Sequence, residues 1–370
     1  MSQAALGVVA SAFFFSYSLM QIPGGWLTDK FGTKPTVIVA IIMWSVFTVL
    51  TGFAWSLVSL LVIRVLFGIG EGVFPSASLK QISEEVSYHK RSQATSGIVS
   101  SNYVGAAVAP MLMAPIIASV GWRPTFHIMG IIGLVFVVAY IVVLRPIRQQ
   151  VVNTNAKVQP KIPWSHVLTN KMIWQFFVVV FGLSIVTKGL DTWMPTYLLQ
   201  ARHINLAGVA WMVPLPSVAA GIGAILSGLI MVGFFKNKEK WLIAIASLLA
   251  TVFMFGMYRS SSLFAVIAFE VLTYFFKSIA FSGSFAFFAS LMTKRAYGSS
   301  IGIVNFGGQL AGFLAPIIIG VLVQSFGGSY SIAFLFLVFA AAIAFIVSLT
   351  LNNKDLQVSK QIALNDYETN

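Results

Sequence analysis

The sequence predicts an all-α membrane protein built from many spanning helices. Of its 370 residues 58% are hydrophobic and only 9% are charged, and the mean hydropathy is +0.89. A water-soluble domain carries roughly 25% charged residues, so this chain cannot hide its apolar surface from water. The apolar runs are near ~20 residues long, the length of a spanning helix, and the alternating ~10-residue segments of an outer-membrane barrel are absent. A helix also satisfies its own backbone in lipid.

We expect eleven spanning helices. The longest stretch without one, 145–171, is polar, basic and proline-containing, which is typical of a linker. It divides an N-terminal helix bundle (1–144) from a C-terminal six-helix bundle (172–351), and a cytoplasmic tail follows (352–370). The predicted spans, called span 1 to span 11, are 5–27, 36–54, 57–79, 94–118, 124–144, 172–199, 206–235, 240–258, 262–291, 299–325 and 330–351.

The loop charges alternate between the two sides of the membrane. Because basic loops stay in the cytoplasm, the richer side is predicted to be cytoplasmic, with the C-terminus inside and, for an odd number of spans, the N-terminus outside. One side holds Lys30, Lys34, Lys80, Lys90, Arg91, Arg145, Arg148, Lys157, Lys161, Lys171, Lys236, Lys238, Lys240, Lys294, Arg295, Lys354 and Lys360; the other holds Arg123, Arg202 and Arg259.

Several function classes are disfavoured. The net charge of +13 comes from loops rather than from a basic stripe with interleaved aromatic residues, so nucleic acid is not an expected partner. There is no cysteine, and the four histidines are scattered, so we expect no disulfide, metal site or cofactor. No nucleophile–base pair or phosphate loop indicates an enzyme, and we expect a monomer in the lipid bilayer.

Apart from Lys240, the first residue of span 8, six charged residues fall inside the predicted spans, three of each sign, so their charges balance. An ionisable group within a membrane costs several kcal/mol and usually faces a water-filled cavity or an opposite charge. These residues therefore indicate either a transport site or internal ion pairs that fix helix packing. They are Arg64, Glu71, Lys188, Asp191, Glu270 and Lys277.

The turn between spans 1 and 2, within "QIPGGWLTDKFGTKP" at 21–35, resembles the G-x-L-x-D-[RK]-x-G-x-[RK] signature of the major facilitator superfamily. The resemblance implies a cytoplasmic loop between the second and third of twelve helices, whose glycines allow close helix approach and whose aspartate stabilises the outward-facing state. The matching positions are Gly25, Leu27, Asp29, Lys30, Gly32 and Lys34.

The wider sequence is similar to the anion:cation symporter branch of that superfamily. The segments that carry the likeness lie at 11–34, 62–78, 192–199 and 302–320. The likeness implies two pseudo-symmetric bundles in a bacterial inner membrane and proton-driven symport of a small organic anion, such as a sugar acid. Since the signature loop here follows one helix and not two, we expect that the family's first helix is missing from this sequence.

Arg64 and Glu71 lie seven residues apart on span 3, which is about two helical turns, so both face the same way. A permanently charged guanidinium can hold a carboxylate through two hydrogen bonds. A glutamate in a low-dielectric cavity can alternate between its charged and neutral forms. Protonation of Glu71 would leave Arg64 free to take up an anion, which is the logic of symport.

Other candidate substrate contacts are implied by the resemblance. Tyr17, Asn102, Ser284 and Asn305 would hydrogen-bond the substrate, although each of them could instead join two helices. The sugar-acid carriers have a glutamine at the position of Asn102 and a threonine–tryptophan pair where this chain has Ser284 and Phe285. These departures leave the particular substrate open.

The second half carries two further charge patterns. Lys188 and Asp191 are three apart on span 6 and could form a pair. Glu270 and Lys277 repeat the seven-residue spacing of Arg64 and Glu71 with the signs reversed, so we predict that both charged helices face one cavity and that Lys277 is a second anion contact.

Two alternatives remain open at this stage. Lys188 would also suit an organophosphate/phosphate antiporter, since such carriers use paired basic residues. A transporter-like sensor, or an inactive truncated remnant, is the third possibility.

Overall fold

A computed structural model describes residues 2–86, 88–144, 168–291 and 294–351, and within them the chain forms helices and no strand. The all-α prediction is confirmed. A π-helical turn, Tyr197–Ala201, extends α7. The helices are α1 (Gln3–Phe31), α2 (Thr33–Gly52), α3 (Leu57–Gly72), α4 (Phe74–Glu85), α5 (Tyr88–Val120), α6 (Trp122–Leu144), α7 (Lys171–Thr196), α8 (Leu206–Met212), α9 (Pro214–Gly233), α10 (Glu239–Arg259), α11 (Leu263–Leu291), α12 (Lys294–Ser325) and α13 (Ser331–Ser348).

Eleven stretches of the described residues are long and apolar enough to cross a membrane, which confirms the predicted number of spans. Two of them contain a break. The third span joins α3 to α4 with Val73 between them, and the seventh joins α8 to α9. Pro75 and Pro214 lie in the first turn of α4 and α9, where a residue without an N–H group costs no helix hydrogen bond. Most of the predicted linker and the tail lie outside the described residues.

The outer face of α6 shows how the spanning helices meet lipid. Ile128, Ile131, Val135, Val138 and Val142 recur at helical spacing and are all exposed, Val135 by 64%. A stripe of bare aliphatic side chains would be unfavourable in water but is matched to the hydrocarbon of a bilayer.

The described residues fall into two compact units whose limits cut across helices. Unit 1 comprises the described residues within Met1–Ala156, Thr192–Pro214 and Gly312–Ser325, and unit 2 comprises those within Lys157–Asp191, Leu215–Ala311 and Phe326–Asn370. Helices α7 and α12 therefore each contribute one part to unit 1 and another part to unit 2.

In unit 1, α1 contacts the end of α7 and the second part of α12. The Gln3 side chain donates a 2.8 Å hydrogen bond to Gln200 Oε1, and the Trp193 indole donates to the carbonyl oxygen of Pro316 at 3.2 Å. A Cβ atom added at Gly7 would overlap that same carbonyl. The absence of a side chain at Gly7 thus lets α1 lie directly against the backbone of α12.

Unit 2 is held together by a large aromatic and aliphatic core. Phe176 of α7 is fully buried and meets Phe287 and Phe288 of α11 edge to face, with ring centroids 5.8 and 5.1 Å away. Ser227 of α9 donates a 2.9 Å hydrogen bond to the carbonyl oxygen of Ile279. These contacts fix α7 and α9 against α11, the helix that carries Glu270 and Lys277.

Candidate functional site

Arg64 lies in the middle of α3 and is partly buried within unit 1. Its guanidinium carbon lies 6.0 Å from the ring centroid of Phe67 and 5.8 Å from that of Phe126. Aromatic faces attract a cation but supply no hydrogen-bond acceptor for its N–H groups. Arg64 therefore has stabilising neighbours that leave it able to take a carboxylate ligand.

Glu71 lies two turns further along α3 and is electrostatically coupled to both Arg64 and Tyr17. Tyr17 belongs to α1, and its ring centroid is 5.4 Å from that of Phe13 on the same helix. The structure thus brings together three of the predicted site residues, Tyr17, Arg64 and Glu71, in one charged group of unit 1.

The glycines around Glu71 admit neighbouring helices. An added Cβ at Gly68 would overlap the side-chain oxygen of Ser16, and one at Gly72 would lie 2.7 Å from the carbonyl oxygen of Tyr17. Gly70 faces another direction, where an added Cβ would lie 2.6 Å from Met43 Cβ on α2. Small residues at these positions allow α1 to approach α3 and so place Tyr17 beside Glu71.

In unit 2, the Tyr274 hydroxyl of α11 donates a 2.6 Å hydrogen bond to Asp191 Oδ1 of α7. The same hydroxyl oxygen lies 3.3 Å from the carbonyl oxygen of Thr187. Tyr274 is almost completely buried, whereas Asp191 is exposed. This contact between two helices was missed by the sequence analysis, which considered Lys188 as the partner of Asp191.

Glu270 and Lys277 are buried on α11, with exposed fractions of 4% and 6%. The Lys277 ammonium lies 5.7 Å from the ring centroid of Tyr274 and 5.2 Å from that of Phe281. In the part of the chain that the structure describes, no carboxylate oxygen lies within 4.0 Å of this ammonium. Glu270 and Lys277 are thus not joined by a direct ion pair.

The position of Tyr274 in the sequence indicates that it belongs to this charged cluster. It lies four residues after Glu270 and three before Lys277, so all three share one face of α11. A tyrosine on the charged face of a spanning helix carries a polar group that needs a partner in lipid. That observation makes Tyr274 a member of the cluster, but the partner on α7 depends on tertiary packing.

The remaining predicted substrate contacts, Ser284, Asn102 and Asn305, differ in how deeply they are buried. Ser284 is fully buried, and its hydroxyl donates a 2.7 Å hydrogen bond to the carbonyl oxygen of Ala280 within α11. Asn102 on α5 and Asn305 on α12 are exposed side chains. In this structure, therefore, the Ser284 hydroxyl donates its hydrogen bond within its own helix, whereas the two asparagine side chains are exposed.

The signature turn contains two glycines with distinct physical roles. Gly32 joins α1 to α2 at φ +87°, a backbone conformation that side-chain-bearing residues rarely adopt. An added Cβ at Gly24 would lie 2.9 Å from Val73 Cα, whereas one at Gly25 would meet nothing within 4 Å. The close helix contact predicted for this turn is therefore made at Gly24, outside the signature positions.

The charges of the signature turn also have distinct neighbours. Lys34 at the start of α2 forms an ion pair with Glu85 at the end of α4, with 3.5 Å between Nζ and Oε1. Lys30 is exposed, and its ammonium lies 4.8 Å from the ring centroid of Trp26. The side chain of Asp29 lies outside the described residues.

Comparison with known protein families finds a match over most of the chain. The profile of the Major Facilitator Superfamily matches residues 1–261, about two thirds of the chain. The match includes every helix of unit 1 except the second part of α12, and also reaches into α7, α9 and α10 of unit 2.

Individual proteins resemble the chain over most of its length. A probable sulfoacetate transporter of Cupriavidus necator is 29% identical over 352 residues, covering 89% of this chain and 81% of that protein. A probable galactarate/D-glucarate transporter of Escherichia coli K12 is 28% identical, with coverages of 94% and 84%. A D-galactonate transporter of Escherichia coli O6:H1 is also 28% identical, with coverages of 94% and 86%.

Solved structures share the fold. A bacterial homolog of the human lysosomal transporter Spinster, in an inward-facing and occupied conformation, superposes with a TM-score of 0.80 at 18% identity. The alignment covers 96% of this chain and 91% of that protein.

Proposed function

Because the chain belongs to the major facilitator superfamily of membrane transporters, we propose that it is a proton-coupled symporter for a small organic anion, a sugar acid or a related carboxylate. It would be a multi-pass protein of the plasma membrane, with its C-terminus in the cytoplasm as its basic loops indicate. It would work by alternating access, exposing its substrate first to one side of the membrane and then to the other.

The observation that carries this proposal is the charged group of unit 1. Arg64 and Glu71 lie on one face of one spanning helix and are electrostatically coupled, with Tyr17 beside them. Two opposite charges within a membrane are costly if their only role is to neutralise each other. A titratable acid beside a permanent cation is suited to exchanging one negative partner for another.

Proton uptake would favour anion binding through charge balance. With Glu71 ionised, its carboxylate compensates the guanidinium of Arg64. A proton on Glu71 removes that compensation, and a substrate carboxylate can restore it by accepting two hydrogen bonds from Arg64. Release of the proton to the other side of the membrane would then favour release of the anion.

The relatives support a carboxylate as the substrate. Galactarate, D-glucarate and D-galactonate, named for two of them, are sugar acids, and sulfoacetate is a small anion with a carboxylate. Tyr17, Asn102 and Asn305 are proposed to hydrogen-bond the substrate, and Lys188 and Lys277 to attract its charge. Ser284 belongs to this set by family resemblance alone.

The signature turn is proposed to control the conformational change. Gly25, Asp29, Lys30, Gly32 and Lys34 would stabilise the outward-facing state. The ion pair between Lys34 and Glu85 supports this role, because it ties the start of α2 to the end of α4.

Uptake by purified protein in liposomes tests the proposal. The probes are radiolabelled D-glucarate, D-galactonate, D-glucuronate and sulfoacetate, each with an acidic exterior and again without a pH gradient. We expect one or more of them to accumulate only with the gradient. Glu71→Gln should abolish this accumulation but retain exchange of labelled for unlabelled substrate, and Glu239→Gln, at the first residue of α10, should behave as wild type.

Two results would contradict the proposal. Gradient-independent exchange without net accumulation would favour an antiporter. Normal gradient-driven accumulation by Glu71→Gln would show that this residue does not carry the coupled proton.

A further inference from the structure

We propose that Asp191 is a selectivity residue of the transporter. Its fixed negative charge, positioned by Tyr274, weakens the binding of anions at Lys277 and disfavours doubly charged anions more than singly charged ones. The proposal rests on the proposed function and deepens it, because it predicts that unit 2 shifts the preference of the transporter from dicarboxylic towards monocarboxylic sugar acids.

The first argument is the position of Asp191. It lies towards the end of α7, within the candidate span Lys171–Ala201, and its side chain is exposed. An exposed carboxylate within a span would be strongly unfavourable against hydrocarbon, so we infer that it faces water. Glu270 on α11, in contrast, is only 4% exposed. Asp191 is therefore the acidic group of this cluster that an incoming anion approaches.

The second argument is the hydrogen bond that fixes this charge. The buried hydroxyl of Tyr274 donates to Asp191 Oδ1 at 2.6 Å. A hydrogen bond donated to a carboxylate stabilises its ionised form, so Asp191 stays charged while an anion binds and leaves. Because the phenol is enclosed in the packing of unit 2, it also holds the carboxylate in one place.

The third argument is the surroundings of Lys277. Its ammonium lies 5.7 Å from the ring centroid of Tyr274, the residue that holds Asp191, and it is electrostatically coupled to Asp191. Within the described residues, however, no carboxylate oxygen lies within 4.0 Å of this ammonium. Tyr274 thus keeps the carboxylate near enough to repel an anion bound at Lys277, but too far away to occupy the ammonium itself.

The charge balance of the cluster matches a singly charged anion. Lys188, on the same face of α7 as Asp191, is also electrostatically coupled to Lys277. The buried Glu270 is counted as neutral, because burial favours the uncharged form of a carboxyl. Two protonated lysines and one carboxylate then leave one positive charge in excess. A second negative charge on the anion has no such compensation and is repelled by Asp191.

The test compares two sugar acids that have the same carbon skeleton. D-Glucarate carries a carboxylate at both ends and D-gluconate at one end, and their binding to the purified full chain in lipid nanodiscs is measured by isothermal titration calorimetry. A unit charge several ångströms away, in partly screened surroundings, changes a binding constant by about tenfold. We expect Asp191→Asn to lower the Kd of D-gluconate about tenfold and that of D-glucarate by a factor at least about threefold larger.

Tyr274 is a positioning residue that acts through Asp191. Tyr274→Phe releases the carboxylate, which can then pair with Lys277 and compete with the substrate, so the Kd of both acids should rise about threefold to tenfold. The double variant Asp191→Asn/Tyr274→Phe should stay within about twofold of Asp191→Asn, because the hydroxyl then has no carboxylate to position. A purely structural role of Tyr274 would weaken binding in the double variant as well.

The controls remove the same chemical groups elsewhere. Glu239→Gln removes a carboxylate at the start of α10, and Tyr140→Phe removes a phenol that bonds to Gln81 in unit 1, so both should bind the two acids as wild type does. Asp191→Glu keeps the charge and should keep the wild-type preference between the acids. Asp191→Ser, which also removes the charge, repeats the test if Asp191→Asn is not monodisperse.

Three results would overturn the inference: an unchanged or higher Kd in the neutral variants of Asp191, an equal gain for both acids, or weakened binding in the double variant. These results leave the proposed function intact if wild type accumulates one of the probes. If wild type neither accumulates nor binds any of these acids, the proposed function fails and the inference fails with it.

Discussion

The intramembrane charges of unit 1 and unit 2 share a seven-residue spacing on one helix, but they are held in different ways. In unit 1, Arg64 is flanked by aromatic rings and coupled to Glu71 on its own helix. In unit 2, Glu270 and Lys277 are buried, and a tyrosine between them bonds to a carboxylate of another helix. The same linear pattern therefore produces a charge pair in one case and part of an interhelical network in the other.

The difference shows how each charged cluster depends on the helices that pack around it. Glycines bring Tyr17 to Glu71, and the approach of two helices is enough to complete that group. The cluster of unit 2 depends instead on the packing of α7 against α11, which brings the Tyr274 hydroxyl to Asp191. The following predictions test this contrast in order of expected effect.

Arg64→Gln is expected to have the largest effect. Loss of the fixed cation removes the bidentate partner of the substrate, so uptake of D-glucarate should fall at least ~100-fold, about 3 kcal/mol. The uptake of D-glucarate into liposomes that contain the purified variant measures this loss. Arg123→Gln, at the start of α6 where the arginine donates to the Ala54 carbonyl oxygen, is the matched control and should stay near wild type. Equal activity of the two variants would contradict the role of Arg64.

Gly68→Ala should destabilise the protein by about 1–3 kcal/mol, because the new methyl group overlaps Ser16 and forces α1 away from α3. Thermal unfolding in detergent measures the change. Gly228→Ala is the matched control, since an added Cβ there meets nothing within 4 Å. A Gly68→Ala protein as stable as this control would show that α1 and α3 can separate without cost.

Lys277→Met should raise the KM for D-glucarate about tenfold, in line with loss of one charge-assisted contact. Because methionine fills a similar volume among aromatic rings, the fold should survive. Lys240→Met, at the start of α10, is the control and should leave KM unchanged. Unaltered KM in Lys277→Met would remove Lys277 from the proposed substrate site.

The ion pair between Lys34 and Glu85 should contribute the least, about 0.5–1 kcal/mol, although both side chains are largely buried. A double-mutant cycle of Lys34→Met and Glu85→Gln, measured by thermal unfolding, isolates the pairwise energy. A coupling energy of zero would show that this ion pair adds nothing to the contact between α2 and α4.

Much of the fold could be predicted from the sequence, because spanning helices are encoded locally by length and hydropathy. The number of spans is confirmed. The break at Val73 was not predicted, since the apolar run continues through it and Pro75 is tolerated at a helix start. Span 7 is likewise continuous in hydropathy, yet it divides before Pro214.

The candidate site was only partly predictable. The spacing of Arg64 and Glu71 places them on one helix face without any tertiary information. The partner of Asp191 could not be obtained in this way, because a neighbour three residues away and a tyrosine on another helix compete for the same carboxylate. Packing between α7 and α11 brings Tyr274 to this carboxylate, and that packing is determined by residues such as Phe176, far from the charges.

The contact between Gln3 and Gln200 is made by two neutral amides, and the neighbouring bond from Trp193 to the Pro316 carbonyl is also uncharged. Neutral groups can replace their hydrogen bonds to each other with hydrogen bonds to water, and no charge then moves through the electric field of the membrane. The breaking and re-forming of these two hydrogen bonds is therefore expected to be insensitive to ionic strength and to transmembrane voltage. The proton gradient would act on the titratable groups, and these uncharged contacts would break and re-form in response.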